Sequence, residues 1–123
     1  MDTRWETIDG KAQYDGRTLV EWVPDVVRTI VQRFDPVRVT LFGSVARGDD
    51  GPDSDIDLLV VLPEIDYSRR HELMAEMAQA VEPAVPVQAF PTDERECTRR
   101  RDVIGSLHYW PLREGRVVFE RAS

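Results

Sequence analysis

The sequence predicts a small α/β protein of the α+β type, in which one mixed β-sheet carries helices packed mainly on one face. Segments rich in β-branched residues alternate along the chain with segments whose apolar residues recur at helical spacing. The 123 residues suit one compact domain and leave little room for two. The loop of residues 49–54 is too short for a parallel crossover, so we expect its flanking strands to pair antiparallel.

The chain divides at about residue 18. Residues 1–17 are polar and contain Gly10 and Gly16, so we expect an N-terminal arm that is frayed or only loosely packed. Residues 18–123 contain the alternating strands and helices and are expected to form the folded domain.

The first predicted helix covers about residues 19–34. Thr18 and Glu21 have the spacing of a capping box, and the apolar residues that follow recur every three or four positions. Pro24 lacks a backbone N–H, so it is tolerated only in the first turn or at a kink. The Asp-Pro pair at residues 35–36 ends the helix.

The remaining elements follow from the same two patterns, β-branched segments for strands and helical spacing of apolar residues for helices. Proline and glycine separate the strand and helix patterns into short elements. The predicted strands are residues 37–42, 55–62, 85–90 and 117–120. The predicted helices are a short one opened by the turn at 43–48, longer ones at about 68–81 and 93–103, and another short one at 106–113.

Composition and charge narrow the class of function. The net charge of −7 and the pI of about 4.8 argue against direct nucleic-acid binding, because phosphate contacts need a basic surface. Cys97 is the single cysteine, so no intrachain disulfide can form, which fits a reducing compartment. Residues 1–10 contain no apolar signal-peptide core, and the longest apolar run, residues 56–62, is far shorter than the roughly 20 residues of a membrane span. We therefore expect a cytoplasmic protein with no membrane association.

The most informative stretch is residues 41–61, LFGSVARGDDGPDSDIDLLVV. Asp55 and Asp57 open the second predicted strand, where alternate side chains point to the same face about 7 Å apart along the backbone. Two carboxylates so placed can converge on one Mg²⁺, whose remaining ligands are usually waters and substrate phosphates. Without a metal ion the two negative charges would repel each other. The pair therefore predicts a divalent-metal site.

The turn before this pair has the composition of a phosphate site. Gly43 lets the backbone approach a phosphate closely, and the Ser44 hydroxyl can donate to a phosphate oxygen. Amides at the start of a following helix attract anions, Arg47 adds a positive charge, and Gly48 lets the chain turn away. A phosphate cradle followed by a metal-binding pair is what a nucleoside triphosphate needs at a phosphoryl- or nucleotidyl-transfer site.

Each part of this motif has a simpler alternative. A Gly-Ser pair after a strand is usually only a turn, and an Asp-x-Asp pair at an exposed strand end is usually solvated. Arg47 taken singly is more often an ion-pair partner than a ligand contact. The acids that it could pair with are Asp55, Asp57 and Glu94. The order and spacing of the combined parts favour a functional site.

The two halves of the stretch resemble the signature of the minimal nucleotidyltransferases of the DNA polymerase β-like superfamily. The first half is GSVARG at residues 43–48, and the second is SDID at residues 54–57. The resemblance covers roughly residues 19–120. It implies the same fold and a Mg²⁺-dependent transfer of a nucleoside monophosphate from a nucleoside triphosphate.

The resemblance assigns roles to individual residues. Those expected to bind the nucleotide are Gly43, Ser44, Arg47 and Ser54. Those expected to bind Mg²⁺ and to act in catalysis are Asp55 and Asp57. The family commonly has a third carboxylate on the next strand, and the matching position here is Gln88, which cannot act as a base. Catalysis is then slow or lost, unless the register differs and Glu82 or Asp93 reaches the site.

The resemblance also implies partners. Small members of the family often work beside a HEPN protein in toxin–antitoxin pairs, where the nucleotidyltransferase neutralises the toxin, in some cases by adding AMP to it. We expect such an antitoxin, moving AMP from ATP to a protein hydroxyl, with a HEPN-type partner or a homo-oligomer on the acceptor side. The alternative is a nucleotide-binding or partner-binding module that is catalytically weak or inactive because of Gln88.

Aromatic and histidine residues outside the motif carry separate expectations. Trp22, on an amphipathic helix, could be exposed at an interface. Tyr109 and Trp110 are expected to pack under the last strand. His71 and His108 lack a metal-ligand spacing and are expected to be structural or on the surface.

Overall fold

The computed structural model describes residues 5–122 and begins with a small antiparallel sheet. Its strands are β1 (Trp5–Ile8), β2 (Lys11–Tyr14) and β3 (Arg17–Thr18). Tight turns at Asp9-Gly10 and Asp15-Gly16, all with positive φ, join them. Asp-Gly is a strong signal for a hairpin turn, because both residues tolerate that backbone conformation.

The expectation of a frayed or loosely packed arm is therefore wrong for residues 5–17, and residues 1–4 lie outside the described residues. Ala12 is fully buried. The indole N–H of Trp22 donates to the Tyr14 carbonyl oxygen at 2.7 Å, which fixes the small sheet to the helix that follows it.

The main sheet has four strands and is mixed, as predicted. Its strands are β4 (Arg38–Phe42), β5 (Ile56–Leu62), β6 (Val87–Asp93) and β7 (Arg116–Glu120). They lie in the order β6-β5-β4-β7. β4 pairs antiparallel with β5 and β7, whereas β5 and β6 are parallel. The antiparallel β4–β5 pair spans the loop of residues 49–54, as the length of that loop predicted.

Two long and three short α-helices surround this sheet in the described part of the chain, and a 3₁₀ turn (Tyr67–Arg69) precedes the second long one. The α-helices are α1 (Leu19–Phe34), α2 (Gly43–Arg47), α3 (Arg70–Ala80), α4 (Glu94–Arg100) and α5 (Tyr109–Glu114). α1 and α3 bury the apolar face of the sheet, where Ile56, Leu58 and Val60 of β5 point. Leu59 and Val61 point to the opposite face, which α4 and α5 cover only in part. The predicted fold class is confirmed.

Helix α1 has the predicted bounds. The backbone N–H of Thr18 donates to a Glu21 carboxylate oxygen at 3.0 Å, as a capping box requires. Pro24 lies in the second turn, not the first, and leaves the Val20 carbonyl without its helical donor. Val20 is exposed, so water can bond that carbonyl.

The third predicted strand is displaced, since β6 runs from Val87 to Asp93 and not over residues 85–90. Pro91 lies inside it, which is tolerated because β6 is at an edge of the sheet, where one row of N–H groups needs no strand partner. Among the described residues, no helix combines the length and apolar character that crossing a membrane requires.

Two tryptophans differ from expectation. Trp22 is buried, not exposed at an interface, and the Arg17 guanidinium lies 3.4 Å from its ring centroid. Trp110 is 56% exposed and does not pack under the last strand. The buried neighbours His108 and Pro111 occupy the inward side of this short helical segment, so Trp110 projects outward.

Candidate active site

The site is built where β4 turns into α2. Gly43 has φ +78, a backbone conformation that side-chain-bearing residues rarely adopt. Phe42 pairs with Asp57 across the antiparallel β4–β5 ladder, which brings the Asp57 side chain against Gly43. The structure thus joins the two halves of the sequence motif, since the glycine turn and the second aspartate are in contact.

Asp57 lies in a setting that disfavours its charge. The pKa of this carboxyl is raised to about 6, first because it is half-buried and second because the negative charge of Asp55 is near. The positive charge of Arg47 opposes this shift only in part. A divalent cation near the two carboxylates would offset both effects, because a positive charge close to a carboxyl favours its ionised form.

Asp55 directly precedes the first residue of β5, and its charge acts on Tyr14 of the small N-terminal sheet. The pKa of Tyr14 on β2 is raised, mainly by burial of its ring and further by the negative charges of Asp55 and Asp53. β2 of the N-terminal sheet therefore lies near the aspartates. This proximity was not expected from the sequence, because residues 1–17 were predicted to form a loose arm.

The predicted nucleotide-binding residues surround the same turn. Ser44 is half-buried in α2, and its carbonyl oxygen accepts bonds from the amides of Gly48 and Asp49. Because α2 is a single turn of helix, it contributes little dipole to an anion site. Ser54 closes the loop before Asp55, where its hydroxyl oxygen accepts from the Gly51 amide at 2.8 Å.

Arg47 is exposed and pairs with Asp49 at 3.2 Å. None of the three acids suggested as its ion-pair partner takes that role. Glu94 pairs instead with Arg38 at 2.7 Å. An exposed ion pair within one loop contributes little to stability, so the Arg47 guanidinium can exchange Asp49 for another anion at small cost.

The loop between the turn and the aspartates is held by Lys11 of β2. Its ammonium donates to the Gly48 carbonyl oxygen at 3.1 Å and to Asp50 Oδ1 at 3.2 Å. The Asp50 side chain is only 2% exposed. Lys11 is the only lysine in the chain, a signal that could have pointed to this contact.

Gln88 occupies the position where a third carboxylate was expected. It lies directly beside Asp57 in the parallel β5–β6 pair and is exposed on the same face. Asp93 lies at the far end of β6, beside Leu62, and its carboxylate accepts from the Glu96 amide at 2.9 Å. Glu82 precedes the strand. Gln88 is thus confirmed as the neighbour of Asp57, and Asp93 does not reach the site.

Two carboxylates, those of Asp55 and Asp57, are therefore available to a metal. Over residues 5–122, no group of three or more His, Cys, Asp or Glu side chains is placed to hold an ion. One or two carboxylates, completed by water and phosphate oxygens, is the donor set that Mg²⁺ commonly has at nucleotide sites. The pair Asp55 and Asp57 fits Mg²⁺ in this incomplete, substrate-dependent form.

The two histidines play no part in this site. His108 is fully buried, and its Nε2 hydrogen-bonds the Thr92 hydroxyl at 2.7 Å. Burial is the main reason that its pKa lies below the ordinary histidine value, so the ring is neutral at pH 7. His71 is on the exposed side of α3. Both results agree with the expected structural or surface roles.

Comparison with known proteins gives two similarities. The model of the family described as "Nucleotidyltransferase domain" matches residues 23–109, which is more than half of the chain. The fold is similar to that of a Sulfolobus solfataricus protein whose crystal structure is described as a nucleotidyltransferase, with 23% identity and a TM-score of 0.57 over 84% of this chain and 81% of that one. At this identity the structural likeness shows the fold alone. No curated protein matches the chain significantly.

Proposed function

Because this chain belongs to the nucleotidyltransferase domain family, we propose that it transfers a nucleoside monophosphate, AMP from ATP, to a protein hydroxyl in a Mg²⁺-dependent reaction. The observation that carries the proposal is the contact between the Asp57 carboxylate and the Gly43 turn. This contact joins a metal-binding group and a turn open to phosphate at one point, which a metal-bound triphosphate requires.

The triphosphate is held by the turn. Because Gly43 has no side chain, the Asp57 carboxylate lies directly against the turn, which brings phosphates bound to the same cation within reach of the Ser44 hydroxyl, a hydrogen-bond donor. Arg47 releases Asp49 and binds a phosphate oxygen with a charge-assisted hydrogen bond. Ser54 fixes the loop that leads to Asp55 and keeps its hydroxyl proton available as a donor.

Asp55 and Asp57 hold Mg²⁺ together with the phosphates. When bound, the ion supplies positive charge that offsets the triphosphate and polarises the reacting phosphorus. Half-burial of Asp57 limits screening by water, so its interaction with a cation is stronger than at a fully exposed site.

The reaction exchanges one phosphorus–oxygen bond for another. The acceptor hydroxyl oxygen bonds to the α-phosphorus, the bond to the bridging oxygen breaks, and pyrophosphate leaves. The hydroxyl proton passes to water, because the Gln88 amide is not basic at neutral pH. A positioned general base typically contributes about 10²–10⁴-fold to a rate, so we expect transfer to be slow.

The acceptor and the setting are also part of the proposal. By resemblance to small members of the superfamily, we propose that the acceptor belongs to a HEPN-type protein and that this chain is the antitoxin of the pair. The resemblance is carried by GSVARG at residues 43–48 and SDID at residues 54–57. We also propose a cytoplasmic location, where ATP and Mg²⁺ are both present.

A second function is favoured by one observation, the position of Gln88 beside Asp57. If the missing carboxylate abolishes transfer, the site would still bind Mg²⁺-ATP. The protein would then act as a nucleotide-binding module that holds its partner.

One experiment separates these functions. The protein is incubated with α-labelled ATP, Mg²⁺ and the HEPN-type protein encoded beside it, with Asp55→Ala and Gln88→Asp in parallel. Label on the HEPN protein that disappears with Asp55→Ala supports the transferase. ATP binding with no label transfer, even with Gln88→Asp, supports the module. Absence of Mg²⁺-ATP binding contradicts both.

A further inference from the structure

A cavity of about 400 Å³ opens beside the Gly43 turn. The residues that line it are Phe42, Gly43, Arg47, Trp110 and Glu114. Its volume lies in the range of about 300–1,000 Å³ typical of small-molecule sites. Two of its lining residues, Gly43 and Arg47, also belong to the proposed triphosphate cradle, so a ligand can occupy both places at once.

The cavity presents an exposed indole whose orientation is fixed. Trp110 is 56% exposed. The Tyr109 ring lies edge-on to it, with centroids 5.0 Å apart and an interplanar angle of 86°. The Arg113 guanidinium in turn lies 3.9 Å from the centroid of the Tyr109 ring. Because buried Pro111 anchors the same helix, the indole is held outward at little further entropy cost on binding.

We propose that this cavity binds the nucleoside of the triphosphate, with a purine base stacked on Trp110. The inference rests on the proposed function, because the triphosphate tail reaches the cavity through Gly43 and Arg47. It adds the part of the substrate that neither the motif nor the family comparison assigns, namely the base and the residue that holds it.

The chemistry of the lining favours a purine that carries an amino group. A purine has a larger π-face than a pyrimidine and therefore covers more of the exposed indole. Glu114 places a carboxylate at the same cavity, and an ionised carboxylate accepts hydrogen bonds but cannot donate them. It therefore suits the amino group of adenine or guanine and does not suit the carbonyl edge of uracil.

The test compares ligands with and without a base. Calorimetry measures binding of Mg²⁺-ATP, Mg²⁺-UTP and Mg²⁺-tripolyphosphate to the wild-type protein, Trp110→Ala and Trp110→Phe. Ile104→Ala is the control, because Ile104 is also a large exposed apolar residue, 79% exposed, but does not line the cavity. Thermal melting of each variant checks that it is folded.

We expect Trp110→Ala to weaken ATP binding by about tenfold, in line with the usual loss of affinity when a stacking aromatic is removed. Its affinity for tripolyphosphate should be unchanged. Trp110→Phe retains most of the ATP affinity, because phenylalanine still offers an aromatic face to the base. UTP binds more weakly than ATP. If Trp110→Ala binds ATP as the wild type does, or if Ile104→Ala causes the same loss, the inference is wrong and the proposed function stands. If the wild type binds neither ATP nor tripolyphosphate, the proposed function fails and this inference fails with it.

Discussion

The Asp57 carboxylate occupies the space that a side chain on Gly43 would need. A Cβ built on Gly43 would overlap Oδ2 of Asp57 and stand 3.2 Å from its Cγ. Both the shape of the turn and the position of Asp57 therefore require that residue 43 has no side chain.

Gly43→Ala is expected to displace Asp57 and to abolish Mg²⁺-ATP binding. The alanine must adopt φ near +78 and must also push the carboxylate away, so stability falls by more than the roughly 1–2 kcal/mol of backbone strain alone. Calorimetry with Mg²⁺-ATP and urea unfolding measure the two effects.

Gly105→Ala is the matched control for this variant. Gly105 also has positive φ, +90, but a Cβ there would meet nothing within 4 Å. It should show the backbone strain and retain nucleotide binding. Equal ATP affinity of Gly43→Ala and the wild type would show that the turn does not form the binding site.

Asp57→Asn is expected to stabilise the metal-free protein at pH 7.5. The folded-state pKa of Asp57 is raised to about 6, while the unfolded chain releases this proton near pH 4. Ionising Asp57 in the folded state therefore costs stability. This cost is absent below about pH 4, grows as pH rises towards 6, and is complete above that. At about 1.4 kcal/mol per pKa unit, the variant should gain about 2–3 kcal/mol at pH 7.5 and almost nothing at pH 4.

Urea unfolding in EDTA at the two pH values measures this difference. Asp53→Asn serves as the control, since Asp53 is an exposed carboxylate of the same loop, and it should change stability little at either pH. A gain for Asp57→Asn of the same size at pH 4 and pH 7.5 would contradict the assigned cause.

The sequence predicted the main sheet and the site better than the surroundings of the site. Gly43 and Asp57 could be paired in advance because a short loop between two strands allows only an antiparallel neighbour. The N-terminal sheet was missed although Asp9-Gly10 and Asp15-Gly16 signal hairpin turns. Its strands are only two to four residues long, so little alternation was visible.

The exposure of the tryptophans could not be predicted from helical spacing. Trp22 is buried because β2 packs over α1 and offers the Tyr14 carbonyl to the indole, a contact made between distant elements. Trp110 is exposed because α5 has only six residues and turns Pro111 inward. A helix this short carries no reliable periodicity to read.

Gln88→Asp is expected to strengthen Mg²⁺ binding by about tenfold, because it adds a charged oxygen ligand next to Asp57. In EDTA the same variant should be less stable by about 1 kcal/mol, since strands about 4.8 Å apart would bring a third negative charge to the pair. Relative to the wild type, the melting temperature of Gln88→Asp should rise in Mg²⁺ and fall in EDTA. Gln88→Asn, which adds no charge, should shift neither. If Gln88→Asp leaves both melting temperatures unchanged, its side chain does not share the site.

Lys11→Met is expected to destabilise the protein and to weaken Mg²⁺-ATP binding. It removes the cation that pairs with the almost fully buried Asp50 and the donor to the Gly48 carbonyl. An unpaired buried carboxylate costs several kcal/mol, but Lys11 is partly exposed, so we expect a loss of about 2 kcal/mol. The loop that leads to Asp55 then loses its anchor. Urea unfolding and calorimetry measure both losses.

Two further variants identify the cause of these losses. Lys11→Arg keeps the positive charge and should recover most of the stability, whereas Arg69→Met removes an exposed pair with Glu72 and should change stability much less than Lys11→Met. In a double-mutant cycle, Lys11→Met should cost much less when Asp50 is already Asn, because the uncompensated charge is then gone. If Lys11→Met costs the same in both backgrounds, the Lys11–Asp50 pair does not hold the loop, and the N-terminal sheet acts on the site only through its packing on α1.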